Sequence, residues 1–162
     1  MVIAAFAGTG KTTLAEQNPQ SIIDFVCMPY KYILKDEKND ESSKANPNNI
    51  VRYEWPYNYI EAIKSALPDG KILLIPSDSF VLWLLEREKI PYTLCYPVRS
   101  AKEVYRRRYL KRGNSDDFIN IFIGRWDNFM DLLEQDTYGR HIILEAHQFL
   151  SDVIKLKNNP KE

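Results

Sequence analysis

Residues Val2 to Thr13 read VIAAFAGTGKTT: an apolar run, a glycine turn, then the opening of a helix. Val2 to Phe6 is the right length for a strand buried on both faces. A helix starting near Lys11 ends by about Asn18, where Pro19 breaks it. Within this stretch, residues 5 to 12 (AFAGTGKT) follow the pattern G-x-x-x-x-G-K-[ST], with alanine in the first position. Ala5 weakens the match little, because the chain is still leaving the strand there. In such a loop the backbone around Ala7, Gly8, Thr9 and Gly10 curls its N–H groups around phosphate oxygens. Lys11 brings a charge to the β and γ phosphates, and the Thr12 hydroxyl reaches Mg²⁺, with Thr13 beside it at the positive end of the helix. The expected ligands are ATP and Mg²⁺. The alternative is a plain glycine turn joining a strand to a helix.

Working outward, strands and helices alternate. Ser21 to Val26 reads as a second strand, apolar except for Asp24, and Lys35 to Asn49 as a polar surface loop. Ile50 to Trp55 forms a short extended segment and Tyr57 to Leu67 a helix with Ile60, Ile63 and Leu67 on one face. Asp69-Gly70 turns the chain into a third strand, Lys71 to Ile75, stopped by Pro76. Ser77 or Ser79 caps the apolar helix that follows, whose breadth of hydrophobicity predicts burial under the sheet edge. Ile90 to Tyr96 is a fourth strand, Ser100 to Arg112 a basic helix closed by Gly113-Asn114, and Asp116 the start of a helix carrying Phe118, Phe122, Phe129 and Leu133. His141 to Leu144 is the fifth strand, followed by a helix from about His147 to Leu156. The expected fold is a single three-layer α/β/α sandwich, residues 1–162, around a five-stranded, mainly parallel sheet.

Lysine plus arginine number 22 and aspartate plus glutamate 22, so the net charge is zero, which argues against a surface built wholly for nucleic acid. No run approaches a membrane span, and no basic leader precedes the apolar start, so a cytoplasmic location without membrane association is expected. Cys27 and Cys95 show no ligand spacing and read as buried thiols.

The charge is uneven. From Arg99 to Arg112 there are seven basic residues and one acid, Glu103. The stretch VYRRRYLKRGNSDDFINIFIGRW places Arg108 and Arg112 four apart on one helix and Arg125 on the next. It resembles the lid of nucleoside monophosphate kinases, guanylate and adenylate kinase among them, in which an R-x-x-x-R-G segment is followed by an acidic stretch and a further arginine. The resemblance implies a P-loop fold of the nucleotide-kinase type, a lid over about residues 99–126, and Arg108, Arg112 and Arg125 acting with Lys11 on the transferred phosphoryl group. It is weak between Asp24 and Asp69, and the small β domain that guanylate kinases use to read their base has no counterpart here. The alternative for the arginines is a solvated basic face or a nucleic-acid contact.

On the acceptor side, Asp24, Lys31 and Tyr59 are candidate contacts for a nucleotide or nucleoside, the alternatives being a packed turn around Lys31 and a core position for Tyr59 with Trp55. Asp24 could also order Mg²⁺ or serve as a base toward a hydroxyl. Asp78, two residues beyond an apolar strand's proline, is a candidate to hold Mg²⁺ with Thr12, or else a helix cap. The expected activity is transfer of the ATP γ-phosphoryl group to a small nucleotide or nucleoside. An ATP-binding or hydrolysing module without kinase activity, and a kinase of nucleic-acid 5′ ends, are the other readings.

Overall fold

The computed structural model describes residues 1–33 and 49–156. The polar stretch Lys35 to Asn49 therefore lies outside the described residues, apart from Asn49.

Strand β1 (Val2–Ala5) sits at the centre of a five-stranded parallel sheet because nothing in it demands water: all four residues are 0 or 1% exposed. Its neighbours are β5 (Ile72–Pro76) and β6 (Tyr92–Pro97), with β2 (Ile22–Asp24) outside β5 and β7 (Arg140–Leu144) outside β6, giving the order β2-β5-β1-β6-β7. Parallel neighbours cannot be joined by hairpins, so helices carry the crossovers. Alternation along the strands sends Val2, Ala4, Leu73, Ile75 and Leu94 to one face and Ile3, Ala5, Leu74 and Cys95 to the other.

The first face is covered by α3 (Tyr57–Ala66), α4 (Ser79–Arg87), α5 (Lys102–Lys111), α6 (Asp116–Gly124) and α7 (Trp126–Glu134), which bury Tyr59, Leu85, Tyr105, Phe118 and Trp126 in one cluster. The second is covered by α1 (Lys11–Gln17) and the single turn α8 (Leu150–Val153) through Leu14, Ala15 and Leu150. The result is three layers, as the alternation of elements predicts. Beside the main sheet, the short helix α2 (Met28–Lys31) leads into β3 (Tyr32–Ile33), which pairs antiparallel with β4 (Ile50–Val51).

Several boundaries differ from expectation. Pro76 does not stop the third strand but is its last residue, opposite Ala5. Proline lacks only a donor, and at the final rung the ladder asks little of it. Asp78, not Ser77 or Ser79, caps α4: its carboxylate accepts the Phe80 N–H at 3.0 Å. The second strand ends at Asp24, after which Phe25 stacks against Tyr30 and Tyr59. Helix α4 buries Val81, Leu84 and Leu85 but leaves Phe80 and Trp83 exposed, so it is covered on one side only. The helix expected from Asp116 is two helices broken at Arg125. A continuous helix would hold Phe122 and Phe129 ~10 Å apart along its axis, whereas their rings stack at 5.4 Å and 19°. The last helix is confined to Leu150–Val153. Cys27 and Cys95 are buried free thiols.

Candidate functional site

The turn after β1 leaves the sheet where the chain diverges, with β2 and β5 on one side and β6 and β7 on the other. Open α/β sheets place ligands at that position, outside the carboxyl ends of the strands. Gly8 and Gly10 have φ of 82° and 92°, angles that side-chain-bearing residues rarely adopt.

The turn is held from behind with unusual completeness. Lys11 Nζ donates to the Ala5 and Phe6 carbonyls at 2.9 and 3.2 Å, and the Thr9 hydroxyl to Phe6 at 2.8 Å. The Tyr109 hydroxyl donates to Ala7 (2.9 Å), Arg108 to Gly8 (2.8 Å), the Leu150 N–H to Thr9 (2.9 Å) and the Leu14 N–H to Gly10 (3.0 Å). Every carbonyl from Ala5 to Gly10 thus accepts a hydrogen bond from the protein, so the loop is preorganised before any ligand arrives.

Two cavities open beside this loop. One, of about 400 Å³, is lined by Gly8, Gly10, Thr12, Thr13 and Phe149, with Lys11, Arg108, Lys111 and Arg112 as its charged groups and no carboxylate among the described residues. The other, of about 380 Å³, runs between the ends of β1 and β5 and the aromatic face of α6 and α7; its charged groups are Lys11, Lys31, Asp78 and Arg125. Lys11 is the residue common to both linings. The first cavity suits a polyanion, and the second a largely apolar molecule with a few polar points.

The expected site residues fall into place unevenly. Ala7, Lys11 and the loop glycines line these cavities. Thr9 is buried, with its hydroxyl turned back to Phe6. Arg108 and Arg112 lie at the first cavity and Arg125 at the second, so the three arginines do not converge. Arg108 is also no free lid arm. It donates to Gly8 and, at 3.3 Å, to Ala146, and its guanidinium stacks over Tyr105 and Phe149 at 4.4 and 4.0 Å from the ring centres. Arg125, at the α6–α7 junction, makes no side-chain hydrogen bond or ion pair with a described residue.

Of the two aspartates, Asp24 is the one that meets Thr12, and Asp78 is the helix cap that its position also allowed. Thr12 Oγ1 donates to Asp24 Oδ2 at 2.6 Å. Asp78 is instead bound by Lys31 at 2.8 Å and caps α4, so it does not partner Thr12. Asp24 is the last residue of β2, opposite Leu74, and Thr12 is the second residue of α1. Burial alone would lower the Lys31 pKa, but the adjacent Asp78 carboxylate outweighs it and holds the ammonium above its usual value. Lys31 lines the second cavity, as expected of an acceptor contact. Tyr59 does not line either cavity. It is 0% exposed, its hydroxyl donates to the Phe25 carbonyl, and it belongs to the core.

Part of the basic segment is neutralised on the surface, since Arg99 pairs with Asp131 and Glu134 and Arg106 with Glu103. That reduces the surface available for a nucleic-acid backbone. His141 bonds Tyr96 and Asp136. Among the described residues no group of three or more histidine, cysteine, aspartate and glutamate side chains is placed to hold a metal. No helix among them is long and apolar enough to cross a membrane.

Three further contributors carry little local signal: Lys111 is one charge in a basic run, Tyr109 one position of a helix, and Phe149, whose ring covers Gly10 and Arg108, has no sequence signature. No protein-family model matches this chain, and no curated protein matches it in sequence.

Proposed function

We propose that the protein is an ATP-dependent phosphotransferase of the P-loop nucleotide-kinase type, acting on a small nucleotide or nucleoside. The observation that carries this reading is the meeting of two unlike cavities at one lysine. A hydrolase needs a single nucleotide site open to water, whereas transfer needs a donor and an acceptor brought in line with a shared charge between them. The four-cation cavity is the side for the ATP phosphates, with Arg112 and Lys111 neutralising charge on their outer oxygens. Arg108 acts through the loop, fixing the Gly8 carbonyl. Thr12 and Asp24 present two hard oxygens 2.6 Å apart at the loop, a set that fits Mg²⁺ completed by phosphate oxygens and water. When bound there, Mg²⁺ would supply charge neutralisation to the phosphates. The aromatic wall of the second cavity excludes water from the transfer. A cytoplasmic location goes with this reading.

A second reading, an ATP-binding module that transfers nothing, draws support from Arg108, whose engagement with two carbonyls ties down the helix expected to act as a lid. Both are tested by ADP production from ATP over a panel of nucleosides, nucleotides and oligonucleotides. Phosphotransfer requires at least one acceptor to raise turnover above a Lys11→Ala background. If none does, the protein is a binding module.

A further inference from the structure

The charged groups of the second cavity bear on how an acceptor is chosen, given the phosphotransfer reading on which the following rests. Among the described residues the cavity carries three cations, Lys11, Lys31 and Arg125, against one carboxylate, Asp78. That carboxylate is already matched by Lys31 at 2.8 Å and caps α4. Lys11 donates to the Ala5 and Phe6 carbonyls and is shared with the first cavity. Arg125 is the one of the four with no hydrogen-bonding or ion-pairing partner among the described residues. Positive charge thus exceeds negative, and the apolar wall of Phe118, Phe122 and Phe129 focuses it.

The backbone that carries Arg125 is well held. Its N–H donates to the Ile121 carbonyl at 3.1 Å, and its carbonyl accepts from the Phe129 N–H at 3.0 Å. On either side, the rings of Phe122, Trp126 and Phe129 pack edge-on against Phe6 at centroid distances of 5.6, 5.6 and 5.7 Å. Phe6 is the residue that leads from β1 into the phosphate loop, so the α6–α7 junction is packed against the root of that loop. The Trp126 indole adds a hydrogen bond to the Arg99 carbonyl at 2.8 Å. A fixed junction therefore carries an exposed guanidinium at the rim of the cavity.

A lid arginine of the nucleotide-kinase kind would act on the transferred phosphoryl group, yet Arg125 does not line the cavity beside the loop where Lys11, Arg108, Lys111 and Arg112 gather. We infer that Arg125 selects the acceptor: it binds an anionic group on that molecule and does not hold the transferred phosphoryl group. A guanidinium presents paired N–H donors that match a phosphate bidentately. The stacked rings of Phe122 and Phe129 take the planar ring that accompanies it. Of the acceptors proposed above, a nucleotide satisfies both features and a nucleoside only the second.

The test measures phosphoryl transfer from ATP to common ribo- and deoxyribonucleosides and to their 5′-monophosphates, in wild type, Arg125→Gln and Arg125→Lys. Arg107→Gln controls for loss of surface charge, because Arg107 is exposed on α5 and lines neither cavity. At least one monophosphate should exceed its own nucleoside by about tenfold or more in kcat/KM. Arg125→Gln should raise the KM for that monophosphate by about tenfold or more, with kcat moving by less than about threefold and ATP affinity in place. Arg125→Lys, which keeps the charge, should recover part of the loss, and Arg107→Gln should match wild type. A nucleoside as the better acceptor, or a KM in Arg125→Gln within about threefold of wild type, overturns the inference while leaving phosphotransfer standing. So does a fall in kcat common to every acceptor with KM unmoved, the mark of an arginine on the transferred group. If no acceptor exceeds the Lys11→Ala background, the phosphotransfer reading itself fails and the inference falls with it.

Discussion

Thr12 and Asp24 are joined by a 2.6 Å hydrogen bond between the first turn of α1 and the last residue of β2. The hydroxyl after the loop lysine is therefore matched to a carboxylate on the outer strand of the sheet, not to Asp78 at the end of the strand adjoining β1.

If Thr12 and Asp24 form the Mg²⁺ side of the site, Asp24→Asn should raise the Mg²⁺ concentration for half-maximal ATP turnover by about tenfold or more. Asp78→Asn should leave that Mg²⁺ midpoint in place. A titration of turnover against Mg²⁺ for both variants decides it, and the reverse pattern would return the metal to Asp78.

Lys11→Ala removes the charge at the junction of the two cavities. ATP affinity should fall by about tenfold or more, equivalent to ~1.4 kcal/mol, measured by calorimetric titration. An unchanged affinity would show that the loop does not hold phosphate.

Gly8→Ala should destabilise the fold as well as the site. The residue has φ 82°, and an added Cβ would meet Tyr109 Cε1 at 2.7 Å, on the ring whose hydroxyl holds Ala7. A loss of about 1–3 kcal/mol is expected, read from urea denaturation. Gly70→Ala has nothing within 4 Å of the new atom and bears only the backbone strain of its φ of 74°, so it should cost less.

Tyr59→Phe separates core from site. Loss of the hydroxyl that donates to Phe25 leaves that carbonyl without this partner, at a cost of about 1–2 kcal/mol. The KM for the acceptor should not move. A changed KM with unchanged stability would put Tyr59 back among the substrate contacts.

Stability should decline in alkali. Burial pushes the Cys95 thiol from 9.0 up to about 12 and the Tyr105 hydroxyl from 10.0 up to about 12. Between those values the unfolded chain has released protons that the folded chain keeps, so unfolding is favoured as pH rises. Lys31 acts in the same direction: its raised pKa gives stability that is present below its unfolded value of 10.5 and lost as pH climbs through the folded one. The urea midpoint should fall from about pH 9 upward, and Cys95→Ala should show a shallower fall from its own starting value.

Much of the architecture was legible because it rests on local signals. Val2 to Ala5, Ile72 to Ile75 and Tyr92 to Tyr96 are apolar runs of strand length, and the intervening helices show their buried faces at helical spacing. Boundaries failed where tertiary packing overrode them. The break at Arg125 lets Phe122 and Phe129 stack, and the last helix starts only at Leu150, whose N–H donates to Thr9. The glycine turn with its lysine and threonine could be read from residues 5 to 13, since its spacing is contiguous. Phe149 could not, because it reaches Gly10 only through the fold.

By itself, then, the sequence determined a strand, a glycine turn and a helix at the N-terminus, the alternation that makes a parallel sheet, and a basic segment placed late in the chain. These are properties of neighbours along the backbone, where periodicity and conformational freedom act over a few residues. Only the tertiary structure decided which aspartate meets Thr12, that Arg108 braces the loop while Arg125 stands at a separate cavity, and that Tyr59 is core. Those outcomes depend on strand order and on where each strand ends, which no local pattern encodes. A hydrogen bond of 2.6 Å between Thr12 and Asp24 is made or lost by a shift of one residue in register.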